Sequence, residues 1–204
     1  MQTQRLWILV ATAAIVSASC SGTSETDEDP ESLLEQDVEI AAVSLSDRVD
    51  TIDDAVDVWR NATSVASAHS AAESALNLVV GPNGPGYGDR DGNGVVSGAT
   101  EVGLLPGLDG TPTGLAMLLS PSECVARDIL GGTWTEPGDE WNRMLTAIDE
   151  WRPDNNTMPT LPSHPMRVVG WATFTLASTS LDDAHEYAGH ANLHVNITRR
   201  AFDC

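Results

Sequence analysis

From Val38 onward, apolar residues recur at steps of three and four: Val38, Ala42, Leu45, Val49, Ile52, Val56, Trp59, Ala62 and Ala66. This is the period of an amphipathic helix with one face on a core. The stripe runs on through Ala72, Leu76 and Val79 to Gly81-Pro82, a usual helix ending. Ser46 or Thr51 could interrupt it, so the pattern predicts either one long helix or two. Further on, Ser122 can cap a short helix from Cys124 to Leu130, ended by Gly131-Gly132. A second stripe, Trp141, Met144, Leu145, Ile148 and Trp151, predicts a helix from about Asp139 to Trp151, stopped by Pro153. Ser163 before Pro165 is a helix-start pattern for Met166 to Leu176, although Val168, Val169, Trp171, Thr173, Phe174 and Thr175 are strand-prone. No partner strand is evident, which decides for a helix. Ser180-Leu-Asp-Asp183 approximates a capping box, and Leu181, Ala184, Ala188, Ala191 and Val195 mark the last helix. Its small residues imply a close helix–helix approach.

The stretch from Gly81 to Ser122 is different, with eleven of the seventeen glycines. It has room for no helix beyond a turn or two around Leu115–Leu119. A long irregular segment inside a compact domain needs something to order it. The expected fold class is therefore all-α: a helical bundle, residues 35–204, carrying a long glycine-rich insertion. Trp59, Trp141, Trp151 and Trp171 are expected to dominate the core.

Within the insertion, Gly86-Tyr87-Gly88-Asp89-Arg90-Asp91-Gly92-Asn93-Gly94-Val95-Val96-Ser97 has the spacing of a calcium loop. Asp89, Asp91, Asn93 and Ser97 fall at loop positions 1, 3, 5 and 9. Gly94 sits at the sharp turn of position 6, and the carbonyl of Val95 is at position 7. A hard cation needs several oxygens converging at about 2.3–2.6 Å, which this spacing can supply. Position 12, where a bidentate carboxylate is usual, is Thr100. Glu101 lies one residue late and Asp109 is the next candidate, so a later carboxylate closes the loop over 89–101 or the site is weak. The alternative is a Gly/Asp-rich turn that binds nothing.

The first twenty residues bear on the cell address. Arg5 gives a positive start, and Leu6–Val16 is an uncharged run, too short for the roughly twenty residues of a membrane span. Ser17-Ala18-Ser19 then precede Cys20. Residues 1–19 therefore read as a lipoprotein signal peptide, with lipidation at Cys20. The match departs from the usual pattern in having Ser17 where Leu is common, and ordinary cleavage nearby is the alternative. Residues 20–34 read as the lipidated Cys and a disordered acidic tether with nothing to bury.

The formal net charge is −20, with no Lys. Such a surface repels nucleic acid and anionic headgroups, so nucleic acid is not an expected partner. The expected attachments are the membrane, through the Cys20 lipid, and a protein or small-molecule partner that the sequence does not name. With Cys20 lipidated and the compartment oxidising, Cys124 and Cys204 can pair, the alternative being two separate thiols.

In the last helix His190 and His194 lie four apart and share a face, so they could hold a transition metal if His69 or His164 supplied a third ligand. His185 lies on the other side from His194, and the second His of an HExxH motif is displaced to five residues on. The alternative is hydrogen-bonded or surface histidines. No nucleophile motif and no dinucleotide fingerprint occurs, so no catalytic residue and no organic cofactor is expected. The chain resembles bacterial exported and lipid-anchored helical proteins that carry an EF-hand-like loop. The likeness rests on Ala68-His69, on Asn77-Leu78-Val79-Val80-Gly81, on Tyr87 to Gly94 and on Gly103-Leu104-Leu105. It covers roughly 50 residues, with the loop the specific part. It implies calcium ligands at Asp89, Asp91 and Asn93 and assigns no substrate. Two functions are thus in view: a calcium-stabilised, lipid-anchored binding or scaffold module, or a metal-dependent or redox enzyme built on His190 and His194.

Overall fold

The computed structural model describes residues 30–118, 122–151, 161–202 and 204, with side chains in the first helix described from Ser44 onward. The expected signal peptide, Cys20 and residues 21–29 of the expected tether lie outside the described residues, while residues 30–34, read as tether, form the start of the first helix. Among the described residues there are six α-helices: α1 Pro30–Arg60, α2 Val65–Val80, α3 Leu115–Leu118, α4 Pro137–Asp149, α5 His164–Ala177 and α6 Leu181–Arg200. A π-helical turn, Val125–Leu130, lies between α3 and α4. The described residues contain no strand, and the protein is an all-α bundle.

The first stripe divides into two helices, and the break falls after Arg60 rather than at Ser46 or Thr51. Its cause is a capping box. The Ser64 hydroxyl accepts from the Ser67 amide at 3.1 Å, and the Ser67 hydroxyl accepts from the Ser64 amide at 3.1 Å. Such a cap contributes about 1 kcal/mol and satisfies amides that a new helix start leaves open. Leu45, Val49, Ile52, Val56 and Trp59 are all buried, as their spacing predicts.

Helix α5 resolves the strand-prone segment. Ser163 caps it, its hydroxyl accepting from the Met166 amide at 3.3 Å and donating to the Ile129 carbonyl at 2.5 Å. Met166, Val168, Val169, Gly170, Trp171 and Ala172 are buried around much of the helix circumference. A helix apolar on most sides belongs inside a bundle, and that burial overrides the β preference of its Val and Thr.

The bundle is a square in which α1 packs on α2, α2 on α5, α5 on α6, and α6 back on α1. Short connections make α1–α2 and α5–α6 antiparallel pairs. Alanines 68, 71, 72 and 75 on α2 and 184, 188 and 191 on α6 are buried and let the helices approach closely. Trp59, Trp141 and Trp171 are at most 1 % exposed, while Trp151 is partly buried. Trp134, which the periodicity did not single out, joins the core and meets Trp141 edge-on at 5.3 Å. The Trp141 indole N–H donates to the Pro106 carbonyl at 3.0 Å, so α4 is pinned to the irregular segment. The disulfide Cys124–Cys204, with Cα atoms 6.0 Å apart, ties the chain after α6 to the start of the π-helical turn.

Candidate metal centre

Residues 81–114 contain no helix, and their anchorage begins on α2. A helix ends with carbonyls that have no partner within it. Here the Leu78 and Val79 carbonyls accept from the Leu104 and Leu105 amides at 3.1 and 3.0 Å, and both leucine side chains are buried. Arg48 of α1 adds a second anchor. Its guanidinium donates to the carbonyls of Leu78 (3.1 Å) and Val102 (2.5 Å) and to the Thr100 hydroxyl (2.7 Å). Burial pushes the Arg48 pKa below the usual arginine value, a cost that these acceptors offset. Thr100 also meets the Tyr87 hydroxyl, so the residue at loop position 12 is committed to holding the backbone.

Two polar side chains on α2, Glu73 and Asn77, are fully buried and four residues apart. They therefore share one face. Asn77 donates to the carbonyls of Gly88 (3.1 Å) and Ser97 (2.7 Å) and accepts from the Gly88 amide (3.0 Å). The Glu73 carboxylate accepts three backbone N–H groups: Arg90 at 2.5 Å and Asp91 at 2.9 Å on Oε2, and Ser97 at 2.7 Å on Oε1. The two ends of the candidate calcium loop are thus drawn onto one helix face. Gly98 makes the close approach feasible: its φ is +69°, and a Cβ there would collide with the Ser74 carbonyl.

Inside the loop, Asp89 accepts from the amides of Asn93 (3.1 Å) and Gly94 (2.8 Å). Asp91 accepts from the Asn93 amide (2.9 Å) and its side-chain NH₂ (2.8 Å), and Asn93 accepts from the Val95 amide (2.8 Å). The Ser97 hydroxyl meets that of Ser70 at 2.8 Å rather than turning to the carboxylates. Glu73, Asp89 and Asp91 each bring an oxygen to within 4.8 Å of the others, with Glu73 buried, Asp91 half-buried and Asp89 exposed. Like charges held so close repel, and a divalent cation among them turns that repulsion into attraction. A carboxylate offers roughly four lone-pair positions. Glu73 has three in use, so it can give a cation one bond and no more. Asp89 and Asp91 each keep positions free.

Asp89 and Asp91, chosen from the loop spacing, belong to this convergent group. Glu101 is exposed and outside it, and Asp109 accepts from the Thr111 amide at 2.9 Å in a turn of its own. Val95 is 63 % exposed at the loop tip. The carboxylate that reading along the loop missed is Glu73, sixteen residues before Asp89. The available signal was the pair of polar residues, Glu73 and Asn77, at helical spacing inside the otherwise apolar and small run from Ser70 to Val80.

The histidines disperse. His69 donates from Nε2 to the Ser178 carbonyl at 2.9 Å, and His185 from Nε2 to the Ala62 carbonyl at 2.8 Å. His190 stacks on Trp171 at 4.4 Å and lies 3.9 Å from Glu186. His194 is paired with His164, Nδ1 to Nδ1 at 3.0 Å, rather than with His190. Burial, then His164, Arg167 and His190, push its pKa down to about 3. The only convergent group of three or more His, Cys, Asp or Glu among the described residues is the carboxylate cluster.

Comparison of the chain with protein-family models, curated protein sequences and solved structures finds no match.

Proposed function

We propose that the chain is an extracytoplasmic, lipid-anchored binding or scaffold module whose glycine-rich segment is ordered by a calcium ion. The observation that carries the metal half is the convergence of Glu73, Asp89 and Asp91 in a loop whose spacing already calls for an oxygen-ligated cation. All three donors are hard carboxylate oxygens, which suit calcium or magnesium better than a soft transition metal. The loop geometry favours calcium, since magnesium demands a tight octahedron and gives up its waters reluctantly. In this role calcium is structural. An irregular segment loses much conformational freedom on ordering, and an ion that bridges α2 to the loop helps offset that loss.

The anchor half rests on Arg5, the uncharged Leu6–Val16 and Cys20. No helix of the described residues is long and apolar enough to cross a membrane, so in this reading attachment rests on the Cys20 lipid.

Calcium is tested by melting the protein in chelator and then in millimolar calcium. Extracellular modules bind with dissociation constants of about 10⁻⁴–10⁻³ M. At about ten times Kd the ion should add about 1.4 kcal/mol, which raises Tm by roughly 3–6 °C for a domain of this size. Asp89→Ala should abolish the rise, and magnesium should produce less of it. Coincident wild-type curves would sink the proposal. The anchor is tested by Cys20→Ala, which should abolish lipid labelling and release the protein from the membrane fraction; retention with unchanged labelling refutes it.

A further inference from the structure

We propose that Arg167, His164 and His194 form a proton-coupled binding site for a compact oxyanion, beside the π-helical turn. The starting point is an arginine with no acidic partner among the described residues. The chain has 30 Asp and Glu against 10 basic residues, so arginines have ample choice of partners. Arg60, Arg127, Arg143 and Arg199 each hold a carboxylate, and Arg48 is spent on backbone carbonyls. Arg90 and Arg200 are exposed. Arg167 is half-buried, and its one hydrogen bond among the described residues runs from Nε to the Leu161 carbonyl at 2.7 Å. Its two Nη groups are left over. They are the planar donor fork that matches a carboxylate, phosphate or sulfate.

His164 lies three residues before Arg167 on α5, one turn away on the same face. Its Nδ1 meets His194 Nδ1 at 3.0 Å. One ring must donate and the other accept, which puts the two Nε2 atoms in opposite states. In the neutral pair the donating ring has a bare Nε2 and the accepting ring an Nε2–H. One added proton goes to the bare Nε2. It keeps the Nδ1–H···Nδ1 bond, makes the pair cationic and turns both Nε2 atoms into donors. A second proton would have to take the accepting Nδ1 and break the bond. The pair is therefore built to take up one proton without rearrangement.

The surrounding charges decide when that proton arrives. Arg167 faces the pair from α5 and His190 from α6, while the π-helical turn presents Arg127 and Asp128. Arg127 and Asp128 neutralise each other through two bonds of 2.7 Å. His190 is occupied with Trp171 and Glu186. The uncompensated charge is that of Arg167. Burial first, and then Arg167, hold His164 below the usual histidine range, so at neutral pH the pair is uncharged. An oxyanion on the Arg167 fork reverses that field and draws a proton onto the pair. Anion and proton then bind together, each strengthening the other.

Sulfate is the probe, because its charge is fixed at neutral and mildly acidic pH. Imidazole ¹⁵N–¹H spectra are recorded with and without it, at an ionic strength held constant with chloride. Sulfate should raise the titration midpoint of His164, and its dissociation constant should fall about threefold or more between about pH 7.5 and about pH 5.5. Arg167→Gln should weaken binding about tenfold at either pH. His164→Asn should leave weak binding that no longer depends on pH, and it carries the test if Arg167→Gln does not fold. Titration curves that ignore sulfate, or sulfate affinity unchanged in Arg167→Gln, overturn the proposal. Repeating the titration with acetate distinguishes a tetrahedral anion from a carboxylate as the preferred class.

Discussion

Replacing Glu73 by Gln probes the centre of the carboxylate cluster with almost no change in shape. The Glu73 carboxylate is fully buried and accepts three backbone N–H groups, two on Oε2 and one on Oε1. Glutamine keeps one oxygen. If that oxygen takes the place of Oε2, the Arg90 and Asp91 bonds survive, but the new NH₂ points at the Ser97 N–H. If it takes the place of Oε1, two bonds are lost instead of one. Hydrogen bonds to a charged group contribute about 1.5–3 kcal/mol each, and a buried donor left without an acceptor costs about 1–3 kcal/mol. The better orientation therefore loses about 3 kcal/mol of hydrogen bonding, from which the Asp89 and Asp91 repulsion relieved by a neutral side chain is subtracted, so Tm falls by up to roughly 6–12 °C for a domain of this size. The measurement is thermal or urea unfolding in chelator, where no ion contributes. Amide exchange at Ser97 should accelerate most, since its N–H is the donor released in that orientation, while Arg90 and Asp91 keep their acceptor. Glu101→Gln is the control: an exposed side chain outside the cluster should change stability by no more than about 0.5 kcal/mol. If Glu73→Gln in chelator stays within about 0.5 kcal/mol of wild type, Glu73 does not hold the loop, and the derivation from its hydrogen bonds is refuted.

The His194 pKa is depressed from the ordinary histidine value to about 3, so the unfolded chain binds the extra proton first as pH falls. Its contribution is therefore complete above about pH 6.5 and is lost progressively toward about pH 3, at up to about 1.4 kcal/mol per pH unit. Urea titrations should show a shallower acid dependence in His194→Leu than in wild type. If the two slopes are equal, His194 is not a buried neutral ring. The Cys124–Cys204 bridge closes a sequence separation of 80 residues. Chain entropy for a loop of that size predicts a loss of about 4–5 kcal/mol in the Cys124→Ser, Cys204→Ser double variant, read from denaturant midpoints. A loss below about 1 kcal/mol refutes that estimate.

Most of the helices were legible because each carried two independent signals. The stripe from Leu45 to Trp59 and the caps at Ser163 and Ser180 use information that lies within one or two turns of chain. The break between α1 and α2 was harder to place. The stripe runs on through Ala62 and Ala66, and only the reciprocal bonds of Ser64 and Ser67 locate the boundary. Trp134 carried no periodic signal at all, since it sits in a connection at a positive φ of 53° and is buried by meeting Trp141.

Composition and spacing by themselves determined the all-α class, the candidate loop at Asp89, Asp91 and Asn93, and the irregular character of the segment that carries it. Each of these follows from local chemistry: period, turn residues, and oxygens at alternate positions. Only the tertiary structure decided which side chains meet. Thr100 at loop position 12 went to Arg48, a residue 52 positions away, and Glu73 on α2 took its place beside the two aspartates. His194 went to His164 on the neighbouring helix rather than to His190 on its own. The physical reason is the same in both cases. A buried polar group must find a partner wherever packing places one, and packing of the four long helices is set by apolar faces that are indifferent to the identity of the polar residues they carry along.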